Sequence, residues 1–395
     1  QTCALPIWKA PVRAFQKIVQ MAIDKRVHAV LITGDVYTSA DHNLTAQLDY
    51  VRLLHKLAQN NIQVFAVLGN HDPLEAWKAK IPFPPNVHIF PTESVERVPL
   101  VVDGEEVAAI YGQSYAKSEQ RENLAWKFNR AAGDRFSIGM LHTQVGSRES
   151  TYAPCTLEDL KECGMDYWAL GHIHKHEILC EKPYIVYAGN PQGLDCTETG
   201  PRGCYYVEVG PYGTTELEFI DTSIVRWESI DLAIDGIESV SELRESVRFA
   251  KEKVRRNIGK PTFLTVNFTG SGSMYHVLNN PEATQYWLDS WREEEQGKYA
   301  FVMVERLRNL ARPKMNLGER SKLPDSVGDY LNVFDKLEKL APEEKVKALR
   351  DILMSRPEFE RLGTYGRALT DERLLETFEK AKWLGVQKLL EHRRG

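Results

Sequence analysis

The stretch IQVFAVLGNHD, residues 62–72, decides the fold. Ile62–Leu68 is mostly apolar and rich in β-formers, the pattern of a strand buried on both faces. It stops at the polar loop Gly69-Asn70-His71-Asp72. The same grammar recurs on either side. His28–Thr33 is followed by Gly34-Asp35, Phe136–Leu141 by His142, and Asp166–Leu170 by Gly171-His172-Ile173-His174. Tyr184–Tyr187 is followed by Gly189-Asn190-Pro191-Gln192-Gly193. Helical spacing intervenes, as in Pro11–Lys25, where Phe15, Val19 and Ala22 recur at four and three residues. Alternating helices and strands predict a layered α/β fold. In such sheets the loops after strand carboxyl ends collect on one edge, where ligands bind.

Cys204–Val209 and Thr215–Ile220 read as two further strands with a period of two. The pattern changes near Thr222. Ser223–Ile234, Thr262–Phe268 and Tyr299–Leu307 read as strands, separated by the helices Val240–Asn257 and Pro281–Gln296. This order predicts a small α+β domain over 223–315. Beyond Pro313 the text is Lys/Glu-rich, and Ser326–Leu340, Pro342–Met354 and Asp371–His392 have helical spacing. They predict a helical C-terminal region over 316–395, whose last helix carries Leu374, Phe378, Ala381 and Leu384 on one side. The main α/β domain is expected over 10–222. Gln1–Ile7 has no period, and residues 1–9 read as a non-native leader.

Lys+Arg total 50 against 55 Asp+Glu, a net charge of −5, which excludes a globally basic nucleic-acid coat but not a local basic groove. No apolar run approaches the ~20 residues of a membrane helix. The six cysteines form no C-x-x-C pair, so they read as thiols of a reducing compartment, with the cytoplasm as the expected location.

Singly, each polar cluster is weak: Gly-Asp after a strand is usually a turn, and a lone His142 is usually a hydrogen-bonded core histidine. Their order and spacing together are specific. Imidazole, carboxylate and carboxamide oxygen suit a first-row divalent ion. The absence of thiolate argues against a structural zinc site. Strand-like alternation across Gly-His-x-His would turn its two imidazoles to opposite sides, which suits two adjacent ions. Asp35 could bridge such a pair. Two ions ~3.5–4 Å apart clamp the attacking and leaving oxygens of a phosphoryl displacement.

These clusters resemble those of the calcineurin-like metallophosphoesterases, with Gly69-Asn70-His71-Asp72 and Gly171-His172-Ile173-His174 as the specific part. With Gly189-Asn190-Pro191-Gln192-Gly193 and the β-α-β-α-β segment, the chain resembles the SbcD-type DNA repair nucleases, and among them the YhaO-like branch. The resemblance implies a layered fold, a β-sandwich flanked by helices, with a small α+β capping domain and a helical tail. It implies that Asp35 bridges two metals, that Asn70, His142 and His172 complete one site, and that His174 binds the other ion. His71 would face the scissile phosphate, with Asp72 orienting its imidazole. Two divalent ions are implied, manganese foremost, with iron, zinc or magnesium as alternatives. The family opens with a strand ending in Asp-x-His, which nothing in Gln1–Val27 supplies. The chain is therefore expected to lack its first strand, to hold one ion, and to be impaired in catalysis.

The implied activity is hydrolysis of DNA phosphodiesters, by exonuclease or endonuclease action in repair. The implied partners are DNA, an SbcC-like coiled-coil ATPase docking on Asp371–His392, and a second copy of the chain. Lys251, Lys253, Arg255 and Arg256 form the densest basic run and are the candidate DNA contacts. If they touch phosphates, binding should fall steeply with salt. Two rival readings are a phosphodiesterase or phosphatase for small nucleotides, and a non-catalytic scaffold for DNA and the ATPase.

Overall fold

Helix α1, Ala10–Asp24, places Pro11 in its first turn, where a missing N–H costs nothing, and buries Ala14, Val19 and Ala22. Helix α2, Leu44–Gln59, buries Val51, Leu53, Leu54 and Leu57. Both faces close on a parallel sheet. Strand β1, Ala29–Ile32, pairs with β2, Gln63–Ala66, from Ala29↔Gln63 to Ile32↔Ala66. Strand β3, Val87–Ile89, adds to the far side of β2. These details come from a computed structural model, which describes residues 9–36, 44–75, 81–147, 149–356, 359 and 370–391. Of the expected leader, residues 1–8 lie outside the described residues, as does His392.

A second sheet has six strands: β4 (Glu96–Val102), β5 (Glu105–Gln113), β6 (Ser137–His142), β7 (Tyr167–Gly171), β8 (Glu177–Glu181) and β9 (Tyr184–Tyr187). Their order is β4-β5-β6-β7-β9-β8. The inner four are parallel, and β4 and β8 are antiparallel edges. Alternate residues of one strand serve two cores, as a period of two requires. Tyr167 and Ala169 of β7 join Phe65, Val67, Phe90, Ile110 and Met140 between the two sheets. Trp168 and Leu170 join Tyr111, Leu141, Ile185 and Tyr187 on the outer face. A short helix, α3 (Leu157–Glu162), starts with a reciprocal cap between Thr156 and Asp159. The layers are helix, sheet, sheet, helix, as the resemblance implies.

The β4–β5 hairpin is absent from the sequence reading. Its signal is Asp103-Gly104, whose φ values of 51° and 85° make the two-residue turn that suits a twisted hairpin. Strands β10 (Gly203–Val209) and β11 (Thr215–Asp221) form a separate antiparallel pair.

The chain divides into two compact units. The first comprises Gln1–Ile230, Phe249–Val266 and Leu288–Arg306, and the second Asp231–Arg248, Asn267–Trp287 and Leu307–Gly395. The α+β segment runs β12 (Arg226–Ala233), α4 (Val240–Ile258), β13 (Thr262–Thr269), α5 (Pro281–Glu293) and β14 (Val302–Asn309). Its sheet order is β12-β13-β14. Within the second unit, α6 (Ser326–Glu338), α7 (Pro342–Met354) and α8 (Asp371–Glu391) share a core of Phe334, Leu349, Leu374 and Phe378. The buried stripe of α8 continues to Val386, and Leu384, expected on that side, is 57% exposed. Among the described residues no helix is long and apolar enough to cross a membrane.

Candidate metal centre

The first unit brings four of the expected residues together at the carboxyl ends of β1, β2, β6 and β7. His142 is the last residue of β6 and is fully buried. Its slot exists because three loops carry glycine. A Cβ on Gly34 would lie 2.7 Å from His142 Nδ1, one on Gly69 2.6 Å from its Cε1, and one on Gly171 2.8 Å from Nδ1. Tyr115 packs edge-on against the same ring at 5.4 Å.

Both nitrogens of His142 face acceptors. Nδ1 lies 2.9 Å from the Thr33 carbonyl oxygen. Nε2 lies 2.8 Å from Asn70 Oδ1 and 3.3 Å from Asp35 Oδ2. A neutral imidazole has one N–H, so one nitrogen confronts oxygen with a lone pair. The Asn70 oxygen is also 3.2 Å from Nδ1 of His172. Burial and the neighbouring His142 ring push His172 down to about 4, so it is a neutral ligand-type imidazole at pH 7. A divalent cation between these groups would relieve that contact. The donor set, two imidazoles, a carboxylate and a carboxamide oxygen, fits such an ion. Counting only His, Cys, Asp and Glu, no group of three close enough to hold an ion occurs among the described residues; Asn70 is what joins the two rings.

Asp35 and His172 both adopt positive φ, 54° and 99°. Neither is glycine, and strain of this kind concentrates at functional sites. Burial pushes the Asp35 carboxyl up, but His142 and the His71 backbone N–H outweigh it and hold the group below its ordinary range. That N–H donates to Asp35 Oδ1 at 2.8 Å. Asp72 is buried and accepts from the backbone N–H groups of Gly69 (2.8 Å), Asp35 (3.1 Å) and Val36 (3.0 Å). It fastens the β1 and β2 loops to each other, a role the sequence reading did not include. His71 is exposed at the mouth of the site.

The two imidazoles of Gly-His-x-His do part, but not through strand alternation. Strand β7 ends at Gly171, and the positive φ of His172 turns the chain. His172 goes to Asn70, and His174 Nδ1 goes to Glu198 Oε1. Burial pushes Glu198 up, but His174, the Leu194 N–H and Asn190 outweigh it and hold the carboxyl at about 2. Sequence reasoning missed Glu198, because an acidic residue in a turn has no spacing of its own. It also missed Tyr152, whose ring lies 4.6 Å from that of His172.

The basic run requires a correction. The Lys251 side chain is 2% exposed and pairs with Glu295 at 3.0 Å and Glu294 at 3.5 Å. Arg255 meets Glu295 at 2.8 Å, Glu252 at 3.3 Å and the Ala300 carbonyl. Both cations are neutralised inside the first unit and are unavailable to a phosphate. Lys253 and Arg256 are exposed.

Comparison with known proteins gives the family. The family model for calcineurin-like phosphoesterases matches residues 8–176, and that for the YhaO metallophosphoesterase middle domain matches 227–312. The metallophosphoesterase YhaO of Bacillus subtilis is 33% identical over 304 residues, 76% of this chain and 74% of that protein. The DNA double-strand break repair protein Mre11 of Sulfolobus acidocaldarius is 26% identical over 194 residues, 45% of this chain and 47% of that protein. Mre11 of Haloferax volcanii is 25% identical over 239 residues, 60% of this chain and 52% of that protein. The match thus spans about half the length of each Mre11 relative. The family generally binds divalent metal ions, and the chain belongs to the calcineurin-like metallophosphoesterases and, within them, to the YhaO-like group.

Proposed function

We propose that this protein is a metal-dependent nuclease subunit that hydrolyses DNA phosphodiesters in repair. The observation that carries the reading is the convergence of Asp35, Asn70, His142 and His172, with oxygen facing ring nitrogen where a cation would satisfy both. In this reading Asn70, His142 and His172 hold one ion, Asp35 bridges, and His174 serves a second. Bound divalent ions, manganese foremost, supply Lewis-acid polarisation of the phosphate and activation of water. His71, exposed beside Asp35, would stabilise charge on the phosphate or protonate the leaving oxygen. Asp72 keeps the Asp35 and Gly69 loops in register while this happens. The Mre11 relatives, named as double-strand break repair proteins, support DNA as the substrate.

The partner reading follows the same resemblance: an SbcC-like coiled-coil ATPase on Asp371–Glu391, a second copy of the chain, and DNA near exposed Lys253 and Arg256. Residues 1–27 supply no Asp-x-His to stand beside His174. A second reading is a DNA- and ATPase-binding scaffold. One assay separates the possibilities: manganese-dependent cleavage of a short DNA beside bis(p-nitrophenyl) phosphate. Cleavage of both supports the nuclease, cleavage of the small ester alone points to a small-nucleotide enzyme, and DNA binding without cleavage points to the scaffold.

A further inference from the structure

The loop Gly189-Asn190-Pro191-Gln192-Gly193 and the turn that follows it have no place in the chemistry described so far. They close around one residue, His174. The backbone N–H of Asn190 donates to the His174 carbonyl oxygen at 3.0 Å, and Arg202 Nη1 donates to the same oxygen. Gly189, at φ 75°, lets the loop run against that segment, since a Cβ there would lie 2.7 Å from both His174 O and His176 N. The side chain is held separately. Glu198 Oε2 accepts from the Leu194 N–H at 2.7 Å and from Asn190 Nδ2 at 2.9 Å, which fixes the carboxylate and leaves Oε1 to meet His174 Nδ1. The Glu198 side chain is 12% exposed, whereas that of His174 is 45% exposed, so the carboxylate is the fixed partner and the imidazole the one being placed. His142 is arranged alike: Nδ1 is anchored on the Thr33 carbonyl and Nε2 is turned to the Asn70 and Asp35 oxygens.

We propose that Glu198 is a positioning residue for His174, taking the Nδ1 proton in a hydrogen bond and leaving the lone pair of Nε2 as the atom that binds a divalent cation. Anchoring of the far ring nitrogen by a carboxylate is how histidine ligands are oriented and kept in one tautomer. The cation part rests on the metal-centre reading above; the tautomer is a property of the metal-free chain.

The test is long-range ¹⁵N–¹H NMR of the full chain without metal, on the alkaline side of the His174 titration. Wild type should show Nδ1–H and unprotonated Nε2. In Glu198→Gln the amide oxygen can still accept from Leu194 and Asn190, and its NH₂ then faces Nδ1. The ring should therefore switch to Nε2–H. Titration with diamagnetic Zn²⁺, followed by the coordination shift of His174 Nε2, should need about 10–100-fold more Zn²⁺ in the variant than in wild type. A wild-type ring carrying Nε2–H, or a Glu198→Gln ring that keeps Nδ1–H, overturns the proposal. Should the variant lose the amide signals of Asn190 and Leu194, the wild-type tautomer decides alone. Nδ1–H in wild type with no response of the His174 ring to Zn²⁺ would remove His174 as a cation ligand while upholding the hold of Glu198 on the ring.

Discussion

Glu295 and His142 are both buried in the first unit, and their neighbours are opposite in kind. Glu295 is ringed by donors: Lys251, Arg255, Lys298 and the Val302 N–H. His142 is ringed by acceptors: the Thr33 carbonyl, the Asn70 oxygen and the Asp35 carboxylate. The first cluster is complete without any outside species, and its work is to tie α4 to the chain after α5. The second is left in want of positive charge. A closed ionic network marks architecture, while a surplus of one polarity in a buried place marks a site meant for something else.

The largest expected effect tests the closed cluster. Glu295→Ala leaves Lys251 buried without its main partner and should cost about 3–5 kcal/mol in chemical denaturation, by the same amount with or without Mn²⁺. Indifference of stability to this change would erase the contrast. His142→Ala should reverse the pattern. Metal-dependent phosphodiesterase activity should fall about 10²–10³-fold. The stabilisation that wild type gains from Mn²⁺, about 2.7 kcal/mol at a hundred times its Kd, should vanish from the thermal melt.

Acid should separate the two clusters in order. The folded His172, held near 4 by burial and the His142 ring, is compared with an ordinary 6.5. The unfolded chain therefore binds more protons between those values, and stability contributed by neutral His172 is lost as pH falls from about 6.5 to about 4. Glu295 is pushed up by burial, but the Val302 N–H, Arg255 and Lys251 outweigh it and hold it at about 2, against an ordinary 4.5. Its contribution is lost only from about 4.5 down to about 2. Urea melts at stepped pH should show two phases of weakening, and mutating His172 should remove the upper one. The smallest effect concerns the exposed cations. Changing Lys253 and Arg256 together to Glu should leave folding within about 0.5 kcal/mol of wild type. If they contact DNA, the salt slope of binding should drop by about one to two units.

Much of the first unit is legible in the sequence because each buried strand ends in a loop of unusual residues. The helices α6 and α7 begin where the spacing places them, at Ser326 and Pro342. The missed features have physical reasons. The β4–β5 hairpin hides because its strands are part exposed and carry a mixed pattern, although Asp103-Gly104 announces the turn. Lys251 looks like a surface cation in a run of charges, yet it continues the Leu243–Val247 stripe of α4 at intervals of four, which puts it inward. Glu198 and Tyr115 reach the site through turns and a strand end whose local sequence holds no trace of the distant ring they serve.

The slot that receives His142 has a consequence for how this protein can change. Its walls are formed by hydrogens on Gly34, Gly69 and Gly171, contributed by chain segments far apart in the sequence. A single added methyl at any of them would crowd the imidazole, and at Gly69 it would also meet the Asp35 carboxylate. A saturation screen scored on function should therefore show alanine as forbidden at these positions as at the ligands themselves, and an engineer redesigning the centre inherits three places where nothing can be added.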